Sequence, residues 1–222
     1  STSLTWIRGI LEHEYGVKPT DVEWFVSARD SSAKASGGAS KFENVKPKSV
    51  TIRQGPKGKD ESQMLVDGDV DALLHAVEPQ AFREGHPKVA RLFSDSRSAE
   101  QAYYANTGIF PIMHAVAIRA DLIDARPDLG KAVFRAYSQA KQMDYDEIRH
   151  KAWFMSSLPW IAQEAEATRK LMGDNYYSYG IPGNRKTLDS LLRYAHEQGL
   201  AKRKLKIEEL FHPSTLELTE QA

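Results

Sequence analysis

The sequence predicts an α/β fold whose C-terminal half is almost entirely helical. Strand-like and helix-like segments alternate as far as Arg119, and helical periodicity takes over after Pro127. The chain has 222 residues, of which 41% are hydrophobic, enough to bury a core in one large domain or two small lobes.

Elements follow in order. Leu4, Ile7, Ile10 and Leu11 recur at helical spacing behind Ser3, a capping residue type, and Gly16 supplies a C-terminal stop. Pro19–Asp21 turns the chain into a strand over Val22–Val26. Ser31–Ser40 is rich in Ser, Ala and Gly, and Lys41–Lys59 mixes Lys, Pro and Gly. Both read as a long surface loop or a functional flap, interrupted by a short strand at Val50–Ile52. Asp60–Asp67 is a short helix, and Gly68-Asp69 turns into the apolar run Val70–Ala76, which reads as a buried parallel strand. Glu78-Pro79 ends that run at a C-terminal strand edge, where ligands of open α/β folds collect. A helix over Ser98–Asn106 closes at Thr107-Gly108 and leads to an extended apolar strand, Phe110–Arg119. Three longer helices follow: Gly130–Arg149, Leu158–Met172 with Ser157 as cap and Pro159 in its first turn, and Asn184–Gln198. A last helical turn falls at Ile207–Phe211. The change of pattern puts a lobe boundary near residues 108–119.

Composition excludes several function classes. Thirty Lys and Arg balance thirty Asp and Glu, so no net charge draws the chain to nucleic acid or to an anionic membrane. There is no cysteine, hence no disulfide, thiolate metal site or cysteine nucleophile. No run approaches the roughly 20 apolar residues of a membrane span. Ser1–Trp6 has neither the basic nor the apolar region of a signal peptide. A cytoplasmic location is expected, or a periplasmic one if a signal peptide lies in an upstream segment. Phosphate-loop, His-Glu-x-x-His and Gly-x-Ser-x-Gly motifs are missing from the sequence.

Several segments occur together in an order that is distinctive as a set. They are Trp6–Val17, Gly68–Leu73, Ala90–Asp95, Thr107-Gly108-Ile109-Phe110-Pro111-Ile112-Met113-His114, Ser157–Trp160, Leu171–Asp174, Tyr179-Gly180, Asn184–Leu188 and His196–Leu200. This set resembles the 4,5-dihydroxyphthalate decarboxylase family of the type II periplasmic-binding-protein superfamily, over the C-terminal two-thirds of such a protein. The resemblance implies two α/β lobes around a cleft with an N-terminal part missing. Residues 1–112 would be the second lobe without its opening strand. Residues 113–222 would be the crossover strand and the helical C-terminal part of the first lobe. Family members usually carry Arg or another polar residue after the Asp-Ala-Leu run, where this chain has His75-Ala76-Val77-Glu78, and the Ser/Gly-rich stretch near residues 31–40 also departs from the family.

Two functions fit this resemblance. One is non-oxidative decarboxylation of 4,5-dihydroxyphthalate, or a related aromatic diacid, to a catechol acid. The other is a transporter's solute-binding protein for a small organic anion. A third reading is a relative that has lost activity. The ligand is a small aromatic or organic anion in either case, with homo-oligomer formation left open. No cofactor is dictated by the sequence, and a divalent metal stays compatible with it.

The chemistry asks for carboxylate partners and a proton donor. His114, on the crossover strand, is the catalytic candidate as proton donor or ligand contact, or else a hydrogen-bonded hinge histidine. His75 and Glu78 offer hydrogen bonds or two ligands to a divalent ion, or form a satisfied loop pair. Arg91 and Arg119 match carboxylate geometry, although Arg119 beside Asp121 and Asp124 also reads as a surface ion pair. Ser1, Thr2 and Ser3 precede a helix N-terminus and either bind an anion or simply cap. Asn106 and Thr107 contact ligand or shape the hinge turn. Tyr176, Tyr177 and Tyr179 beside Gly180 pack together or stack on a ring.

Overall fold

The computed structural model describes residues 2–31, 50–150 and 157–220, without the side chain of His150. Ser1 and most of the Ser/Gly-rich loop therefore lie outside the described residues. The chain is helix-rich, with one two-stranded parallel sheet among the described residues. It divides into two compact units, Ser1–Ser96 with Ser190–Leu205, and Arg97–Asp189 with Lys206–Ala222. None of the described helices is long and apolar enough to cross a membrane.

In the first unit, α1 (Thr2–Tyr15) leads to a turn at Pro19–Asp21 and then to β1 (Trp24–Val26). β1 pairs in parallel with β2 (Ile52–Gln54), in the register Trp24↔Ile52, Phe25↔Arg53 and Val26↔Gln54. α2 (Glu61–Asp67) is stopped at both ends by sequence-encoded devices. The Asp60 carboxylate accepts from the Gln63 amide, the Gln63 side chain caps the Asp60 amide in return, and Gly68 takes the left-handed conformation at φ 77°. α3 (Gln80–Arg83) follows, and its Ala81 amide donates to the Ser62 hydroxyl of α2 at 2.7 Å.

The core of this unit joins α1 to the later residues of α8 (Arg185–Glu197). Trp6 is 1% and Tyr194 2% exposed, and their rings meet edge to face at 5.7 Å. Gly9 is required there: a Cβ on it would stand 2.2 Å from Tyr194 Cδ2. Buried Gln198 bridges the same contact. Its Nε2 donates to the Thr5 carbonyl at 2.8 Å, and its Oε1 accepts from Arg8 Nε at 2.9 Å.

The second unit contains most of α4 (Ser96–Thr107), then α5 (Ala120–Ala125), α6 (Asp128–His150) and α7 (Ile161–Met172). Its buried side chains include Ile109, Ile123, Tyr145, Ile181 and Ile207. The C-terminal stretch packs beside α6, where Thr215 Cγ2 and Ile123 Cδ1 would crowd any Cβ on Gly130.

Two expected strands are corrected. Val70–Ala76 and Phe110–Arg119 are irregular, and among the described residues neither joins a ladder. An extended apolar run becomes a strand only when a neighbour takes its amides and carbonyls. Without that neighbour the second run is largely exposed, with Phe110 at 44% and Val116 at 57%. Two starting caps are also corrected. α1 already includes Thr2, so Ser3 is a first-turn residue, and α7 begins at Ile161 with Trp160 rather than Ser157 at its cap. The short helices α3 and α5 are absent from the sequence reading, because four to six residues give little periodicity.

Candidate active site

In the first unit, the chain leaving β1 brings several polar side chains together. The buried Glu61 carboxylate accepts from the Ser31 amide at 3.0 Å and from the Ser31 hydroxyl. That hydroxyl in turn accepts from the Gln80 amide at 3.2 Å, which ties the start of α3 to the end of β1. An isolated parallel bridge between Arg29 and Asp60 holds the same corner. Glu61 therefore sits low in dielectric with its oxygens satisfied, a supporting role for the loop.

His75 belongs to this corner. Its Nδ1 lies 2.8 Å from the Val77 carbonyl and 3.1 Å from the Val77 amide, and the tautomer decides which of the two it engages. Its Nε2 is 3.7 Å from Asp30 Oδ2, an ion pair whenever the ring is protonated. Glu78 pairs with the Arg91 guanidinium, which also lies over the Phe82 ring at 4.8 Å from its centroid. Three expected site residues thus meet in one region, together with Asp30, Ser31 and Glu61, which sequence reasoning missed. Their partners stand up to 49 positions away (Ser31 and Glu61 alone are thirty apart), so no local pattern announces them.

In the second unit, Thr107 ends α4 by using its side chain twice. Its hydroxyl donates to the Tyr103 carbonyl at 2.6 Å and accepts from the Ile109 amide at 3.1 Å. Its carbonyl accepts from Lys186 Nζ. Asn106 is exposed on α4. His114 is exposed in the middle of the extended stretch. Arg119 forks onto Asp121, Nε to Oδ1 at 2.9 Å, and that hydrogen bond lifts the guanidinium above its ordinary value. Thr2 is exposed and Ser3 half-buried at the start of α1, while Ser1 lies outside the described residues. Among the described residues, no three His, Asp or Glu side chains gather as metal ligands.

Fold and side chains define a helix-rich α/β protein that presents imidazole and guanidinium groups on irregular, partly extended chain. Its relatives give that description a chemical name. A Comamonas testosteroni protein named 4,5-dihydroxyphthalate decarboxylase is 32% identical over 216 residues, which is 97% of this chain and 64% of that protein. A Pseudomonas putida protein of the same name is 31% identical over 103 residues, 46% of this chain and 38% of that protein. No family model matches the chain. The chain is a relative of the 4,5-dihydroxyphthalate decarboxylases, and it spans just under two thirds of the Comamonas protein's length.

Proposed function

We propose that the protein removes CO2 from 4,5-dihydroxyphthalate or a related aromatic diacid, leaving a catechol acid. The observation that carries this reading is the 32% identity maintained along 97% of the chain with a protein of that name. No observation favours the solute-receptor alternative.

The chemistry is balanced by one proton: the carboxylated ring carbon accepts H+, the carbon–carboxylate bond breaks, and its electron pair returns to the ring as CO2 leaves. The hydroxyl para to that carbon pushes electron density toward it and makes protonation there feasible. The chain must therefore supply a donor and grip the remaining carboxylate. His114 is the proposed donor, an exposed imidazole whose ring nitrogen can carry the proton to the ring carbon. Arg91 and Arg119 are the proposed carboxylate partners, each exchanging its present acidic neighbour, Glu78 or Asp121, for the substrate. His75 with Asp30, and the polar groups of Thr2 and Ser3, are proposed ligand contacts of the first unit, and Asn106 and Thr107 of the second; Ser1, also expected to contact ligand, lies outside the described residues.

This reading includes the two-lobe architecture of type II periplasmic-binding proteins. The runs Val70–Ala76 and Phe110–Arg119 have the apolar composition that sheet strands of that architecture require.

The test is incubation of the full-length protein with 4,5-dihydroxyphthalate, following CO2 and 3,4-dihydroxybenzoate with and without chelator. Equal yields of both products are expected, and His114→Ala is expected to lower kcat by about 10²–10⁴-fold. Tight binding of the diacid without turnover would overturn the decarboxylase reading. Unchanged turnover in the His114 variant would move the proton donor elsewhere.

A further inference from the structure

Tyr177 is the point at which the buried polar centre of the second unit reaches the stretch that carries His114. Lys141, on α6, keeps only 8% of its side-chain surface, and Glu220, near the C-terminus, keeps 12%. The ammonium contacts Glu220 Oε1 at 2.6 Å, Asn175 Oδ1 at 2.6 Å and the Tyr177 carbonyl at 2.7 Å. It also sits over the Tyr179 and Tyr145 rings, 4.6 and 5.2 Å from their centroids. Glu220 Oε2 accepts from Asn175 Nδ2 at 2.8 Å and from the Tyr179 amide at 2.9 Å. The Tyr177 amide donates to the Tyr145 hydroxyl at 2.9 Å. Both backbone polar groups of Tyr177 are thus held by side chains of α6.

The ring of Tyr177 is placed by that grip. It meets Phe110 edge to face, with centroids 5.4 Å apart and planes at 86°. Phe110 follows buried Ile109, whose amide is already fixed by Thr107. The root of the extended stretch is therefore clamped on two sides. One clamp is the Thr107 turn, held by Tyr103 and Lys186. The other is the Tyr177 ring. His114 lies four residues beyond Phe110.

We infer that Tyr177 is a positioning residue: held by Lys141 and Tyr145, its ring fixes Phe110 and thereby the course of the stretch bearing His114. The inference deepens the decarboxylase reading and rests on it only for its catalytic consequence. The phenolic hydroxyl of Tyr177 takes no part, because the contact is made by the ring and the anchoring by the backbone.

The experiment compares Tyr177→Ala with Tyr177→Phe in the full-length protein, with Phe110→Ala and the Phe110/Tyr177 double alanine variant alongside. Amide hydrogen exchange across residues 109–114 is expected to quicken about tenfold in Tyr177→Ala and to match wild type in Tyr177→Phe. The double variant is expected to be no worse than either single one, since both remove the same contact. With 4,5-dihydroxyphthalate as substrate, Tyr177→Ala is expected to lose about tenfold in kcat with KM changed less than twofold, and Tyr177→Phe to restore kcat. Unaltered exchange in Tyr177→Ala, or equal losses in Tyr177→Phe, would overturn the inference. Absent turnover in wild type would instead sink the decarboxylase reading, and the exchange comparison would still decide the role of Tyr177.

Discussion

Each of the two units is held together internally, and by opposite chemistry. Where α1 meets α8, an apolar contact is closed by shape: two aromatic rings, a glycine that lets them approach, and one glutamine bonded at both its amide oxygen and its amide nitrogen. Where α6 meets the C-terminal stretch, an ammonium and a carboxylate are withdrawn from water and surrounded by tyrosines. Shape contacts fail when volume changes, whereas a buried ion pair fails when one partner is left alone.

Removing one partner separates them most sharply. Lys141→Met is expected to cost about 3 kcal/mol, the lower end for breaking a buried pair, because it strands the Glu220 carboxylate. Lys141→Met combined with Glu220→Leu is expected to recover much of that loss, and thermal unfolding of the two variants checks it. Next comes Gly9→Ala. The added methyl would press into the Tyr194 ring, and overpacking of this kind costs about 1–3 kcal/mol. Denaturant titration followed by Trp6 fluorescence reads it.

The smallest difference is in pH dependence. Burial pushes the Glu220 carboxyl upward, but hydrogen bonds from Lys141, the Tyr179 amide and Asn175 outweigh it, and the group titrates below its ordinary value. A lowered carboxyl contributes stability above its unfolded value and loses it as pH falls through the folded one. Stability is therefore expected to decline in acid below the ordinary glutamate range, and Glu220→Gln to flatten that decline. Hydrogen exchange in α6, measured at several acid pH values, tests this. A decline of the same size in the glutamine variant would point to other carboxylates. The α1–α8 contact, closed by two rings and a glutamine, should show little such dependence.

Local signals in the sequence carried much of the helical architecture. The bounds of α2 were read to within one residue, because the Asp60 and Gly68 devices that set them act within one turn of the chain. The periodic runs in α4, α6 and α8 placed those helices within two residues of their observed ends. Val70–Ala76 and Phe110–Arg119 failed as strands because a ladder is a property of two segments, and apolar composition reports only one of them. The same limit hid Glu61 and Glu220. Each looks like an ordinary surface acid until Ser31 or Lys141 arrives from thirty or more residues away. His75, Glu78 and Arg91 fall within seventeen residues of sequence, on the chain that flanks α3. His114 was singled out by its motif, and its exposure on an irregular stretch was not foreseeable from that motif.

The bare stretch after Ile109 has a practical side. Phe110, Met113 and Val116 project into water from extended backbone, and such a surface invites pairing with whatever strand it meets. Self-association of this chain is therefore expected to rise with its concentration, and dilute solution or a few added charges along that ribbon to relieve it.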